Sequence, residues 1–132
     1  MRLIIDDQVT ESARRTAAAI PTARRTLLTR LAAHLERGAI ERASGGGNAA
    51  PGDYPIPIRT GHFRRSFGMQ VGLSHALVFN TSVYARAIHE GFHPYGNTRA
   101  ERIAGRKYFD DALDAMDVPA IVETWEDSLP WR

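Results

Sequence analysis

A stretch rich in glycine and proline, SGGGNAAPGDYPIPI at residues 44–58, most constrains how this chain can fold. Three consecutive glycines favour no single backbone conformation, and the repeated prolines remove the N–H donors that a helix or a central strand requires. The stretch therefore divides the chain into two parts that must form regular structure separately. We predict a mobile or extended loop here, and such a loop can become ordered against a neighbouring molecule.

The residues before this loop predict one long helix. Between Thr10 and Ala43 the sequence consists largely of Ala, Leu, Arg and Glu, and apolar side chains recur at helical spacing. The apolar stripe contains Ile20, Leu27, Leu31 and Leu35, and the arginines that fall largely off it are Arg24, Arg25, Arg30 and Arg37. Because Pro21 lacks an N–H and collides with the preceding turn, we expect one break or kink there.

Alternating apolar residues after the loop predict a β-hairpin. In residues 67–73 the apolar side chains point to one side and are separated by Gly or Gln; they are Phe67, Met69, Val71 and Leu73. A turn at Ser74 and His75 would return the chain as a second strand over residues 76–80. One face of the hairpin is then available to cover the N-terminal helix. The segment 83–88 is compatible with a strand or a short helix.

Two helices are predicted at the C-terminus. One has an apolar stripe of Phe109, Leu113 and Met116, and the other has a stripe of Ile121, Trp125 and Leu129. Pro119 suits the first turn of the second helix. We predict a single α+β domain over residues 1–132, with a long N-terminal helix packed on a small antiparallel sheet and C-terminal helices beside it. Its regions are a helical region (1–43), the loop (44–58), a sheet region (59–92), a second loop (93–105) and C-terminal helices (106–132).

Composition excludes several classes of protein. No apolar run approaches the roughly 20 residues that cross a bilayer, so we expect no membrane partner. The sequence has no cysteine, which removes disulfides, thiolate metal sites and cysteine nucleophiles. The net charge of +2 is unevenly distributed: residues 1–68 carry 11 Arg and 6 acids, whereas residues 69–132 carry 6 basic residues and 9 acids. This asymmetry suits head-to-tail packing of copies or a basic face towards nucleic acid, although a solvated surface also accounts for it.

The stretch HEGFH at residues 89–93 has the H-E-x-x-H spacing of zinc hydrolases. That chemistry requires both histidines on one helical face and a third protein ligand. Gly91 and Pro94 oppose a helix here, and Arg99 stands where an extended motif of this kind places its third ligand. We expect no metal and no cofactor. A small zinc-dependent hydrolase using His89, Glu90 and His93 remains one alternative, and a basic DNA-binding module remains another.

The order of features between Arg59 and Leu113 resembles the tail-completion and neck proteins of tailed bacteriophages, which join head to tail. The segment RTGHFRRSF, residues 59–67, is similar to their T-G-x-[LF]-[RK]-x-S motif; the matching residues are Thr60, Gly61, Phe63, Arg64 and Ser66. The segment VFNTSVYARAIHEG, residues 78–91, is similar to N-x-x-Y-A-x-x-x-E-x-G, with one extra residue between the Asn and the Tyr and with E-G in place of E-x-G; the matches are Asn80, Tyr84, Ala85, Glu90 and Gly91. A late helix matches at Phe109, Ala112 and Leu113.

This resemblance implies a structural protein without catalysis. It implies a homo-oligomeric ring, most simply of about six subunits, around the channel through which the genome passes. Partners would be neighbouring head-completion and tail-tube proteins, with possible non-specific contact to genome DNA, and the location would be the virion after assembly in the host cytoplasm. We expect Arg59, Arg64, Arg65 and Glu90 to face neighbouring subunits or the DNA, and the remaining motif residues to be structural.

Overall fold

Helix α1, Asp7–Arg42, is the longest element of the computed structural model, which describes residues 7–44, 53, 54, 56 and 61–132. Most of the loop predicted at 44–58 lies outside the described residues, as do Arg59 and Thr60. After α1 come a short helix, a hairpin, a second short helix with a second strand pair, and two C-terminal helices.

Helix α1 continues through Pro21, so the predicted break is wrong. A proline removes a single N–H donor, and the helix has long hydrogen-bonded segments on both sides. Packing also holds the helix immediately after this point, because the Trp125 indole Nε1 donates to the carbonyl of Ala23 at 2.9 Å. Local propensity is here outweighed by tertiary contact.

A two-stranded antiparallel sheet follows the short helix α2, His62–Arg65. Strand β1, Phe67–Val71, pairs with strand β2, Ala76–Asn80, which confirms the predicted hairpin. The connection covers residues 72–75 and is closed by a hydrogen bond from the Gly72 N–H to the His75 carbonyl at 2.8 Å. Leu73 therefore lies in the connection rather than on the strand, and its side chain is exposed. The alternating pattern extended one residue pair too far.

The segment that suited either a strand or a helix forms helix α3, Ala85–Glu90, which runs directly into the short strand β3, Gly91–Phe92. Strand β3 pairs antiparallel with β4, Ile103–Ala104, and a 3₁₀ turn at Pro94–Gly96 begins the connection between them. The second predicted loop, 93–105, thus ends in a strand. Two residues per strand were too few to give an alternating pattern in the sequence.

Helices α4, Tyr108–Asp114, and α5, Val118–Asp127, complete the fold. Pro119 lies in the first turn of α5 as predicted, and Ile121 and Trp125 face inwards. The stripe predicted for α4 is wrong at Leu113, which is exposed, whereas Phe109 packs against the core; the buried residues of α4 are Tyr108 and Ala112. Aromatic residues occupy both 108 and 109, so spacing alone could not choose between the two faces.

The core lies where α1 meets the sheet and α4. Tyr108 is its largest fully buried side chain, and its other buried members are mostly small: Ala39, Ala43, Ile56, Phe63, Ala85 and Ala112. Small side chains on α1 and α4 let the two helices approach closely. The arrangement confirms the predicted α+β class, with a long N-terminal helix on a small antiparallel sheet. In the described part of the chain, no helix combines the length and hydropathy that a membrane span needs.

Replacing Tyr108 with Phe should destabilise the fold by about 1 kcal/mol. The change removes the hydrogen bond from the buried hydroxyl to the Ala85 carbonyl, 3.0 Å long, and leaves the ring packing in place. Tyr84→Phe is the matched control, since the Tyr84 side chain is exposed and should cost less than about 0.5 kcal/mol. Urea unfolding followed by circular dichroism measures both, and equal losses would contradict the role assigned to Tyr108.

Candidate interaction site

The first motif segment forms a tight turn that presents two arginines to solvent. Gly61 has a φ of 74°, which glycine adopts without strain, and the Arg65 guanidinium lies over it. One turn later Ser66 is buried, and its hydroxyl donates to the His62 carbonyl at 2.6 Å. Between them Phe63 points into the core while Arg64 and Arg65 remain exposed.

Asn80 joins the first motif segment to the second. Its amide Nδ2 donates to the Phe63 carbonyl at 2.9 Å, and its Oδ1 accepts from the Ser82 N–H at 2.8 Å. A single side chain thus fixes the end of α2 against the turn that follows β2. Both contacts depend on the donor and the acceptor that an amide carries on the same planar group.

Tyr108 connects both segments to α4. Its ring lies edge-on to Phe63 at 5.3 Å and to Phe67 at 5.7 Å between centroids, and its hydroxyl donates to the Ala85 carbonyl. Burial raises the pKa of the Tyr108 hydroxyl to about 12, so it stays a hydrogen-bond donor at neutral pH. Phe109 also packs edge-on against Phe67, with 5.8 Å between ring centroids. Phe63, Ala85 and Phe109 therefore all contact Tyr108, whereas Leu113 is exposed.

Gly91 ends α3 with a φ of 86° and a ψ of 166°, a conformation that is essentially restricted to glycine. A Cβ at this position would lie 2.6 Å from the carbonyl oxygen of Ile103. Gly105 is equally close to the opposite chain, since a Cβ there would lie 2.5 Å from the Gly91 nitrogen. The two backbones meet without room for a side chain on either.

The same turn determines the geometry of HEGFH. Helix α3 ends at Glu90, Gly91 directs the chain into β3, and His93 is extended with a φ of −93° and a ψ of 126°. The two histidines therefore do not lie one turn apart on a helix, as the zinc signature requires. Within the described residues, no three His, Asp or Glu side chains form a group suited to a metal ion.

Each histidine of HEGFH has a structural environment of its own. The His89 ring lies perpendicular to Tyr108 with 5.0 Å between centroids, and its Nε2 is 3.9 Å from the carboxylate of Asp110. His93 Nδ1 donates to the Ala100 carbonyl at 3.1 Å and closes the loop between β3 and β4. Both histidines thus take part in contacts within the fold.

The three predicted contact residues that the structure describes are all exposed, but they differ in their partners. The Glu90 carboxylate accepts from Arg86 Nε at 3.0 Å across one helical turn, and the Glu90 backbone carbonyl accepts from Arg102. Arg64 and Arg65 form no ion pair with the described residues. An exposed pair of this kind contributes little to stability, so Glu90 can exchange partners at low cost.

A second polar cluster, at the C-terminal end of α1, was not found from the sequence. The Tyr54 hydroxyl donates to the Asp111 carboxylate, and the Arg42 guanidinium lies 5.6 Å from the centre of the Tyr54 ring. Burial, followed by the hydrogen bond to Asp111, raises the pKa of Tyr54. Arg106 Nε donates to the Asp53 carbonyl at 2.6 Å. The cluster connects Asp53 and Tyr54 of the Gly/Pro-rich region to α1 and α4. The only signal for this connection in the sequence is the tyrosine within that region.

No protein-family model matches this chain, and neither curated proteins nor solved structures include a match. The geometry and the sequence motifs therefore carry the functional interpretation.

We predict that Gly91→Ala destabilises the protein by about 2 kcal/mol or more, because it adds steric overlap with Ile103 to an unfavourable φ. Gly96→Ala is the matched control: Gly96 also has a positive φ of 68°, but a Cβ there meets no atom within 4 Å. It should cost only about 1 kcal/mol. Thermal unfolding of both variants separates the two contributions, and equal shifts in Tm would show that crowding at Gly91 is unimportant.

Proposed function

We propose that this chain is a structural subunit of a bacteriophage neck or tail-completion assembly, in which about six copies close into a ring around the genome channel. The assembly would join the tail to the head within the virion, next to head-completion and tail-tube proteins. The role requires no catalytic residue. It requires surfaces that bind neighbouring copies.

The exposed hairpin is the observation that carries this proposal. Leu73 is 83% exposed, Leu77 is 53% exposed and Val83, just after the hairpin, is 97% exposed. Burying one such side chain against a partner stabilises a complex by roughly 1.5–3 kcal/mol. Large apolar side chains grouped on one element indicate a contact surface more strongly than scattered ones do.

The backbone of the hairpin supports the same interpretation. Within the described residues, β1 and β2 pair only with each other, so each has one edge with unpaired backbone groups. A two-stranded sheet has marginal stability by itself and gains from further strands or from packing. A neighbouring subunit in a ring supplies either one.

Charge on the turn before β1 provides the polar part of the contact. Arg64 and Arg65 are adjacent, exposed and without an ion pair in the described part of the chain. A guanidinium binds a carboxylate or a phosphate through two parallel hydrogen bonds. The proposal therefore assigns these two arginines to the acids of the next subunit or to the phosphates of DNA in the channel.

We expect the wild-type protein to sediment as a closed oligomer and Leu77→Gln to sediment as a folded monomer at the same concentration. The substitution removes apolar area from the hairpin without touching the core. Leu113→Gln is a closely matched control, because Leu113 is also 53% exposed but lies on α4. Sedimentation velocity measures all three proteins, and circular dichroism checks that they are folded.

If Leu77→Gln remained an oligomer, the result would show that the hairpin does not form the interface. Dissociation of both variants would show that the effect is not specific to the hairpin. If the wild-type protein sedimented as a monomer at every concentration, that result would contradict self-assembly itself.

A further inference from the structure

A groove of about 410 Å³ runs between α1 and α5, away from the hairpin and from the motif residues. Its two walls come from elements that are distant in sequence, and its lining contains one strong cation. The residues that line it are Arg30, His34, Asp117, Ala120, Ile121 and Thr124.

Arg30 is the unusual member of this lining. Its Nη1 nitrogen is buried and has no hydrogen-bond partner among the described residues. A guanidinium cannot lose its charge in a protein, and each of its N–H groups is a donor. Removing such a donor from water without giving it an acceptor is unfavourable, so the site favours an added acceptor.

The other polar groups of the groove do not fill this role. Asp117 Oδ1 accepts from the Ala120 N–H at 3.1 Å and thereby caps α5, and Asp117 forms no salt bridge with Arg30. His34 is exposed at the rim. Because the cap already satisfies one N–H at the start of α5, attraction for an anion in this groove comes chiefly from Arg30.

We propose that this groove binds a carboxylate side chain of a second copy of the chain, which pairs with Arg30. The inference rests on the proposed function, since it assumes that copies associate, and it assigns a second contact surface besides the hairpin. A ring requires two different surfaces on each subunit, one for each neighbour. The groove and the hairpin are formed by different elements, which meets that requirement.

A carboxylate fits the groove better than DNA does. A DNA strand brings a row of phosphates, and it would have to pass the carboxylate of Asp117 and that of Glu123, which is exposed on the same helix. One acidic side chain can enter between the helices and bring a single charge. The chain carries exposed acids outside the groove that form no ion pair with described residues, including Glu101 and Asp114.

Arg30→Met tests the assignment, because methionine keeps an unbranched stem but removes the charge and every donor. We expect the dissociation constant for self-association, measured by sedimentation equilibrium, to rise at least about tenfold. Arg25→Met is the control, since Arg25 is exposed on the same helix outside the groove, and it should associate as tightly as the wild type. Arg30→Lys keeps the charge, and its dissociation constant should lie between those of the wild type and Arg30→Met. This variant also provides a test if Arg30→Met fails to fold.

A double-mutant cycle then identifies the acid. If Glu101 or Asp114 is the partner of Arg30, then Glu101→Gln or Asp114→Asn should weaken association of the otherwise wild-type chain. The same substitution should have little further effect in Arg30→Met. Wild-type affinity in both Arg30 variants would overturn the inference and leave the proposed assembly intact. A wild-type chain that never associates would overturn both. Salt-sensitive binding of duplex DNA that is lost in Arg30→Met would reassign the groove to phosphate.

Discussion

The edge-on packing of Tyr108 against Phe63 and Phe67 holds together parts of the chain that are far apart in sequence. Its hydroxyl extends the same contact to α3 through the Ala85 carbonyl. Because α1 contributes alanines here, the long helix can lie close to α4 and the hairpin. The turn, the sheet and three helices thus depend on one buried aromatic side chain.

A core made largely of alanines has a consequence at the surface. Larger apolar side chains such as Leu77 and Val83 are exposed on the hairpin and the turn after it. At Arg30, one guanidinium nitrogen, Nη1, is buried and has no hydrogen-bond partner among the described residues. Contact with further copies would bury the apolar side chains and give Arg30 an acceptor. We therefore interpret the chain as a component of an assembly.

Sequence periodicity predicted the secondary structure correctly where an element is long or strictly alternating. It predicted α1, the β1–β2 hairpin and the inward face of α5, and it predicted that Gly91 and Pro94 oppose a helical zinc site. It failed where one local rule competes with tertiary contacts, as at Pro21, or where two adjacent aromatics both pack against the core, as at 108 and 109. Arg30 lies off the apolar stripe of α1, and its place beside α5 was not predicted because spacing describes α1 but not the position of α5.

Native mass spectrometry of the unmodified protein at neutral pH tests the central claim most directly, because one spectrum reports subunit number and retained metal together. The account predicts a closed, metal-free oligomer of about six copies. A monomer that carries one zinc ion per chain would contradict it and would restore the hydrolase interpretation of HEGFH.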